Sequence, residues 1–206
     1  MALSQDELLQ VLRKLTHDLR GPLINVRMAL EVIVALEDGQ ERETLGGVVD
    51  QELRRLDQLI QRTANLAQAG HCQLTQIPLR AVVAQFVQQL DDAIAPEARL
   101  DCDCVASVDV DKILQLLGLL YREAASYLAG QENAKILVTL SKQDRTCLVR
   151  MEDNGFCSGA GGDPKLDVSE AFLRIVLSEH QASLVRTRSE QLGGRCYTLS
   201  FPAVNS

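Results

Sequence analysis

The chain has 206 residues, of which 46% are hydrophobic and 24% charged, so it can bury the cores of one large or two small domains. Its formal net charge of −7 and its isoelectric point near 5.0 disfavour binding to nucleic acid or to anionic membrane surfaces. No apolar run approaches the length of a membrane span and no basic and apolar leader opens the chain, so we expect a cytoplasmic protein.

A first amphipathic helix is predicted from residue 4 to about residue 36, and a second from residue 42 to about residue 69. Ser4 and Glu7 have the spacing of a capping box at the start of the first helix. Two such helices joined by a short loop form an antiparallel hairpin, which cannot cover both of its apolar sides alone. We therefore expect two copies to pair as a four-helix bundle; the alternative is that the rest of the chain covers these sides.

One histidine of the first helix points away from its apolar side. His17 lies two residues from both Leu15 and Leu19, and at about 100° per residue it faces water. No further metal ligand lies one turn away, and a convex helix face offers no pocket for a general base. An exposed imidazole beside a carboxylate, Asp18, is thus suited to act as a nucleophile toward phosphorus, with Asp18 orienting the ring or accepting its proton.

From Gly70 onward the pattern changes to mixed helices and strands. Helices are predicted at 79–94, 110–129 and 167–180, and strands at 72–79, 100–108, 135–140, 147–151, 182–189 and 194–201. This order predicts helices on one face of an antiparallel-rich sheet. The fold class is therefore α+β, with a dimeric helical hairpin at 1–70 and an α/β sandwich at 71–206.

The string His17-Asp18-Leu19-Arg20-Gly21-Pro22-Leu23 resembles the phosphoacceptor motif of bacterial sensor histidine kinases. That family carries His, an acidic residue, Leu, Arg, a Thr or other small polar residue, Pro and Leu. The resemblance implies that His17 accepts a phosphoryl group. Gly21 departs from the family's Thr or Asn, which helps to position water for removing phosphate from the response regulator, so such phosphatase activity is not expected.

The second half of the chain is similar to the ATP-binding domain of the same family. Residues 151–156 resemble its Asp-x-Gly-x-Gly box, residues 171–180 a helix that ends at a family histidine, and residues 184–202 its closing hairpin. The resemblance implies that Asp153 recognises the adenine amino group and that Gly155 lies beside it.

Several positions depart from the family's nucleotide site. The Asn that supplies the Mg²⁺ ligand is absent from the long apolar helix, where Glu123 is the nearest equivalent. Cys157 replaces the second glycine of the box, and Asp167 and Ser169 replace a later Gly-x-Gly pair. A glycine cluster at 159–162 lacks the Lys or Thr of a phosphate-binding loop and is typical of a surface turn.

These departures favour a histidine phosphotransferase, similar to the dimeric phosphotransferases that keep a degenerate ATP-binding domain. It would shuttle a phosphoryl group through His17 between receiver-domain aspartates without using ATP. No cofactor is then expected, because the receiver supplies its own Mg²⁺, and Asp153, Gly155 and Glu123 would be vestigial. One alternative is an ATP-dependent kinase core that uses Mg-ATP to phosphorylate its own His17, and another is a noncatalytic adaptor that binds a kinase or a receiver.

The expected partners are a second copy of the chain and the receiver domain of a response regulator or a hybrid histidine kinase. A receiver would dock beside His17 on polar side chains of the two helices: Arg20, Asn25, Arg27, Arg54, Gln58, Gln61 and Arg62. The six cysteines show no paired C-x-x-C spacing, which favours reduced thiols. His71-Cys72 is a weak metal signal, and no metal site is predicted.

Overall fold

The computed structural model describes residues 3–90, 94–155 and 166–204, which form two compact units. One unit consists of residues 3–68 together with residues 166–172, and the other of the remaining described residues from Ala69 onward. The first unit is helical, whereas the second combines helices with two sheets. The chain therefore has the predicted α+β fold.

The helical unit is a hairpin of two long helices, α1 (Gln5–Ala35) and α2 (Gly39–Ala67). The hydroxyl of Ser4 accepts the backbone amide of Glu7 at 3.2 Å, and the Glu7 carboxylate accepts the amide of Ser4 at 2.9 Å. This reciprocal pair confirms the predicted capping box. In the described part of the chain no helix is both long and apolar enough to cross a membrane.

Contact between the two helices buries only part of their apolar surface. Val11, Pro22 and Ala29 are the buried residues of α1, and α2 has none. Many large apolar side chains of the hairpin remain exposed in the single chain: Leu8, Leu9, Leu12, Leu23, Ile24, Met28, Leu30, Val32, Val34, Val48, Leu53 and Ile60. Exposed apolar surface of this extent marks a site for a protein partner.

A small core lies within the helical unit, where residues 166–172 pack on the hairpin. It consists of Val11, Leu166, Val168 and Ala171, with Leu3, Leu15 and Leu66 packed against it. A segment distant in sequence thus covers part of the apolar side of the hairpin, as the alternative to dimerisation anticipated, but it leaves the larger exposed set uncovered.

The other unit is built on a five-stranded sheet with the strand order β2-β4-β5-β7-β6, beside a two-stranded sheet of β1 and β3. The strands are β1 (Thr75–Pro78), β2 (Glu97–Leu100), β3 (Val105–Val108), β4 (Ile136–Gln143), β5 (Thr146–Asp153), β6 (Ser183–Arg188) and β7 (Arg195–Pro202). Neighbouring strands are antiparallel except β2 and β4, which run parallel. This topology confirms the predicted antiparallel-rich sheet.

The remaining helices are α3 (Leu79–Gln89), α4 (Val110–Leu128) and α5 (Val168–Glu179). The first two pack on strands of the sheets and on each other. Phe86 of α3 meets Tyr121 of α4 edge to face, with ring centroids 6.2 Å apart. The Tyr121 hydroxyl donates to the carbonyl oxygen of Ile94 at 2.8 Å, so this buried tyrosine also satisfies its polar end.

His180, just beyond α5, joins two helix ends of the α/β unit. Its Nε2 accepts the backbone amide of Asp109 at 3.0 Å, and its Nδ1 lies 2.7 Å from the carbonyl oxygen of Val176. This pattern requires a neutral ring with its proton on Nδ1. Because Asp109 is the N-cap of α4, His180 ties the start of that helix to the end of α5.

Replacing His180 with leucine is expected to lower the free energy of unfolding by about 1–3 kcal/mol, because the Asp109 amide loses its buried acceptor. Urea denaturation followed by circular dichroism measures this change. The control His71→Leu alters an exposed histidine and is expected to stay within about 0.5 kcal/mol of the parent chain. Equal effects of the two substitutions would contradict the structural role of His180.

Candidate functional site

His17 lies on α1 with 81% of its side chain exposed, as the helical pattern predicts. Its Nδ1 lies 3.2 Å from Oδ1 of Asp18. A carboxylate at Nδ1 favours the tautomer with the proton on that nitrogen, which leaves the lone pair of Nε2 facing solvent. The pair therefore presents an accessible nitrogen nucleophile.

Lys14 shares the same carboxylate oxygen, and sequence reasoning missed it. Its Nζ lies 2.7 Å from Oδ1 of Asp18. Partial burial raises the pKa of Asp18, but the hydrogen bonds from Lys14 and His17 and their charges outweigh this effect and hold the pKa below its ordinary value. The available signal was the spacing of four residues between Lys14 and Asp18, which places them on one helix face.

The side chains expected to contact a receiver fall into groups on the two helices. Arg20 and Arg27 of α1 line a groove on the helical unit, and Arg54 and Gln58 of α2 line another depression. The first groove is formed by Thr16, Leu19, Arg20, Leu23, Ile24 and Arg27. Two of these residues, Thr16 and Leu19, lie within two positions of His17 in the sequence, but His17 itself does not line the groove.

The remaining predicted partner residues have contacts of their own. The Asn25 amide donates to Oε1 of Glu52 at 2.9 Å and so links α1 to α2. Gln61 is exposed and donates to the side chain of Asn65 at 3.1 Å, and Arg62 is half-buried. Asn25 thus contributes to the hairpin itself in the single chain.

Asp153 lies at the end of β5 and is fully buried. Its Oδ1 accepts the backbone amides of Gly155 at 2.8 Å and Arg195 at 3.2 Å. Its Oδ2 is buried with no hydrogen-bond partner among the described residues. A buried acceptor left open in this way is costly unless a ligand N–H satisfies it, and the amino group of an adenine has the required chemistry.

Gly194 closes one side of this carboxylate, and sequence reasoning assigned it no role at the site. A Cβ at this position would lie 2.3 Å from both the carbonyl oxygen and Oδ1 of Asp153, and 2.7 Å from the amide nitrogen of Gly155. Its own amide donates to the Asp153 carbonyl oxygen at 3.1 Å. Only a residue without a side chain permits this close approach, and the Gly193-Gly194 pair was the available signal.

Charged and aromatic side chains surround the same carboxylate. The Arg195 guanidinium carbon lies 3.0 Å from the centroid of the Tyr127 ring. Burial raises the pKa of Tyr197, and the nearby charges of Glu123 and Asp153 raise it further. Glu123 of α4 and Asp153 of β5 thus both lie close enough to Tyr197 for their charges to act on it.

The structure describes only some of the other positions at which the sequence departs from the family's nucleotide site. Asp167 caps α5, because its Oδ1 accepts the amide of Glu170 at 2.9 Å. Cys157 and the glycine cluster at 159–162 lie outside the described residues.

In the ranges that the structure describes, no group of three or more His, Cys, Asp or Glu side chains is arranged to hold a metal ion. The cysteines of those ranges are free thiols, in agreement with the sequence.

No protein-family model matches the chain. Among curated proteins, it is 24% identical over 156 residues to the sensor protein ChvG of Rhizobium meliloti, a match that covers 68% of this chain and 27% of ChvG. It is 28% identical over 165 residues to the sensor protein PfeS of Pseudomonas aeruginosa, covering 75% of this chain and 34% of PfeS. The chain therefore spans about a quarter to a third of the length of the curated relatives it matches.

Solved structures share its fold. Histidine kinase ThkA, in a complex with the response regulator protein TrrA, matches 93% of this chain and 60% of the ThkA chain with a TM-score of 0.74 and 17% identity. Acinetobacter baumannii histidine kinase AdeS matches 92% of this chain and 98% of its own with a TM-score of 0.68 and 17% identity. The ATP-binding domain of Mycobacterium tuberculosis PrrB matches 64% of this chain and 98% of its own, with a TM-score of 0.51 and 12% identity.

The chain therefore has the fold of a histidine kinase core, a helical hairpin followed by an ATP-binding domain, as the motifs indicated. The prediction of a phosphotransferase that works without ATP is wrong, because the proteins that it is similar to are sensor proteins and histidine kinases. That prediction gave decisive weight to the missing Asn and glycines. It did not consider the buried Oδ2 of Asp153, which has no hydrogen-bond partner among the described residues, or the close approach of Gly194 to that carboxylate.

Replacing Gly194 with alanine is expected to lower the free energy of unfolding by about 1–3 kcal/mol, because its Cβ would overlap the Asp153 backbone and carboxylate. Chemical denaturation measures the change. Gly118→Ala is the matched control: it adds a methyl group within α4 at an ordinary 3.5 Å from Arg122 and is expected to stabilise by about 0.5–1 kcal/mol. An unaltered stability of Gly194→Ala would contradict the tight packing described above.

Proposed function

We propose that this chain is the catalytic core of a histidine kinase, which binds Mg-ATP and transfers its γ-phosphoryl group to His17. The observation that carries the proposal is the buried Oδ2 of Asp153, which has no partner among the described residues beside Gly155 and Gly194. An exposed histidine with its carboxylate partner on the same chain supplies the acceptor. The relatives and the shared fold support the same activity.

Nucleotide binding would use the residues around Asp153. Its Oδ2 accepts the adenine amino group, and the absence of a side chain at Gly194 keeps the carboxylate in place. Glu123 is the residue that would hold the metal ion of the substrate, since Mg²⁺ binds through one or two carboxylates together with phosphate oxygens and water. An ion held there would supply positive charge to offset the charge that develops on the transferred phosphoryl group.

Transfer would begin with the lone pair of Nε2 of His17. The Nε2–P bond forms as the bond between the γ-phosphorus and the bridging oxygen breaks, and the electron pair of that bond leaves with ADP. The ring gains positive charge while its proton stays on Nδ1. Asp18, held ionised by its neighbours, accepts the hydrogen bond from Nδ1 and stabilises that charge.

The phosphorylated histidine would then serve a receiver domain of a response regulator. ThkA, which shares the fold, forms its complex with a response regulator protein, and this supports a partner of the same class here. The groove of Arg20 and Arg27 and the depression of Arg54 and Gln58 are the proposed contact surfaces. Two copies of the hairpin would pair through their exposed apolar side chains, which would cover them without a further partner.

Calorimetry with Mg-ATP and incubation with γ-labelled ATP test the kinase directly. The parent chain is expected to bind nucleotide and to carry an acid-labile label, and His17→Ala to bind equally without label. Asp153→Asn is expected to lower affinity at least about tenfold, because it replaces the carboxylate acceptor with an amide. Asp144→Asn, in the exposed turn between β4 and β5, is the matched control and is expected to behave as the parent.

A parent chain that neither binds ATP nor becomes labelled would overturn the kinase and favour the noncatalytic adaptor. Binding without label on His17 would contradict the acceptor assignment. Labelling that persists in His17→Ala would do the same.

Replacing Ile60 with aspartate is expected to convert a dimer into a monomer, because this side chain is 62% exposed in the single chain and would be buried by pairing. Sedimentation velocity measures the mass. Gln51→Asp introduces the same charge at an exposed polar position of α2 and is expected to remain dimeric. A parent chain that sediments as a monomer would contradict the proposed bundle.

A further inference from the structure

We propose that Lys14 is a positioning residue for the phosphoacceptor: it holds the Asp18 carboxylate against Nδ1 of His17 and so keeps Nε2 unprotonated and exposed. The proposal rests on the proposed function in taking His17 as the acceptor. The effect on the ring is nevertheless a property of the three side chains themselves, and it can be measured without any nucleotide.

The geometry of a helix makes such help necessary. Adjacent residues point about 100° apart, so His17 and Asp18 do not face each other by default. Their contact is correspondingly long, at 3.2 Å. Lys14 lies one turn before Asp18 and three residues before His17, on the same side of α1 as both.

The lysine makes the stronger of the two contacts to the shared oxygen. Its Nζ lies 2.7 Å from Oδ1 of Asp18, the length of a charge-assisted hydrogen bond. This bond selects the side-chain rotamer in which Oδ1 is also within reach of His17 Nδ1. Since Lys14 offers three donors and no acceptor, it cannot take the place of the carboxylate at the ring.

Electrostatics acts in the same direction. In the described part of the chain, the groups that lower the pKa of Asp18 are Lys14 and His17, against the opposing effect of partial burial. A depressed pKa keeps the Asp18 carboxylate ionised as the pH falls. An ionised carboxylate accepts a hydrogen bond from Nδ1–H of His17, whereas a protonated carboxyl group would donate its own proton toward Nδ1. Loss of Lys14 removes the leading cause of this depression.

The same pair also has a structural reading. Lys14 is 44% exposed and Asp18 29%, and an exposed pair at this spacing stabilises a helix only slightly. A purely structural pair would leave the tautomer of His17 unchanged. The protonation state of the ring therefore separates the two roles.

The test compares three variants of the full chain. Lys14→Met removes the charge and keeps the length of the side chain, whereas Lys14→Arg keeps the charge and the donors. Arg13→Met removes the same charge one residue away, from an exposed side chain that does not act on Asp18. Nitrogen NMR of His17 reports the tautomer, carbon NMR of the Asp18 carboxyl reports its titration, and γ-labelled ATP reports the rate.

Lys14→Met is expected to raise the pKa of Asp18 toward its ordinary value and to shift His17 toward the tautomer with the proton on Nε2. Its labelling rate is expected to fall about two- to fivefold at saturating ATP with an unchanged KM, the size of effect that an exposed ion pair permits. Lys14→Arg is expected to keep the pKa of Asp18, the tautomer of His17 and the labelling rate of the parent chain, and Arg13→Met to leave all three unaltered.

An unchanged tautomer in Lys14→Met would overturn the proposal, whatever the labelling rate. An equal shift in Arg13→Met would also overturn it, because a general loss of positive charge would then explain the result. If the NMR changes occur and no variant is labelled by ATP, the positioning role holds and the proposed kinase activity fails.

Discussion

The α/β unit is organised around one buried carboxylate. Asp153 binds the amides of Gly155 and Arg195 through Oδ1, while its backbone carbonyl accepts the amide of Gly194. These bonds join the end of β5 to the start of β7 at a distance that excludes any side chain at Gly194. Because both strands lie inside the sheet, the position of this carboxylate is determined by the whole unit, and its second oxygen is buried without a hydrogen-bond partner among the described residues.

This constraint explains why the missing family residues were a poor guide to function. A glycine-rich loop and an Asn ligand contact phosphates and metal, which are held at the exposed end of a nucleotide. The carboxylate is part of the fold, because its hydrogen bonds join the end of β5 to the start of β7, and under the proposed function its buried Oδ2 would contact the base. The similarity to sensor proteins and histidine kinases is consistent with the retained Asp153 carboxylate, and it does not support the phosphotransferase that the missing Asn and glycines had suggested.

The helical unit differs from the α/β unit, because few of its side chains are buried within one chain. Two long helices leave most of their large apolar side chains exposed, and residues 166–172 cover only a small part. Its polar features are local to the helix surface, where Asn25 reaches Glu52 and where Lys14 and His17 meet at Asp18. Exposure suits a nucleophile that must meet a large partner, and a stiff helix keeps it oriented.

Local patterns determined much of this protein. The capping box of Ser4 and Glu7, the two long helices and the hairpins β4-β5 and β6-β7 follow from spacing and periodicity, because each depends on residues near one another in the chain. The exposure of His17 follows from its angle to the leucines for the same reason. Helix ends were less accurate: α3 ends at Gln89 instead of residue 94, and α2 begins at Gly39 instead of residue 42.

Only the tertiary structure decided what depends on residues distant in sequence. The approach of Gly194 to Asp153, the pairing of His180 with the Asp109 amide and the packing of Leu166 on Val11 join positions that no local pattern relates. That Oδ2 of Asp153 has no hydrogen-bond partner among the described residues is likewise visible only once the surrounding strands and loops are placed. Periodicity reports which side of an element is apolar, but which groups meet, and which polar atom is left for a ligand, is set by the packing of the whole unit.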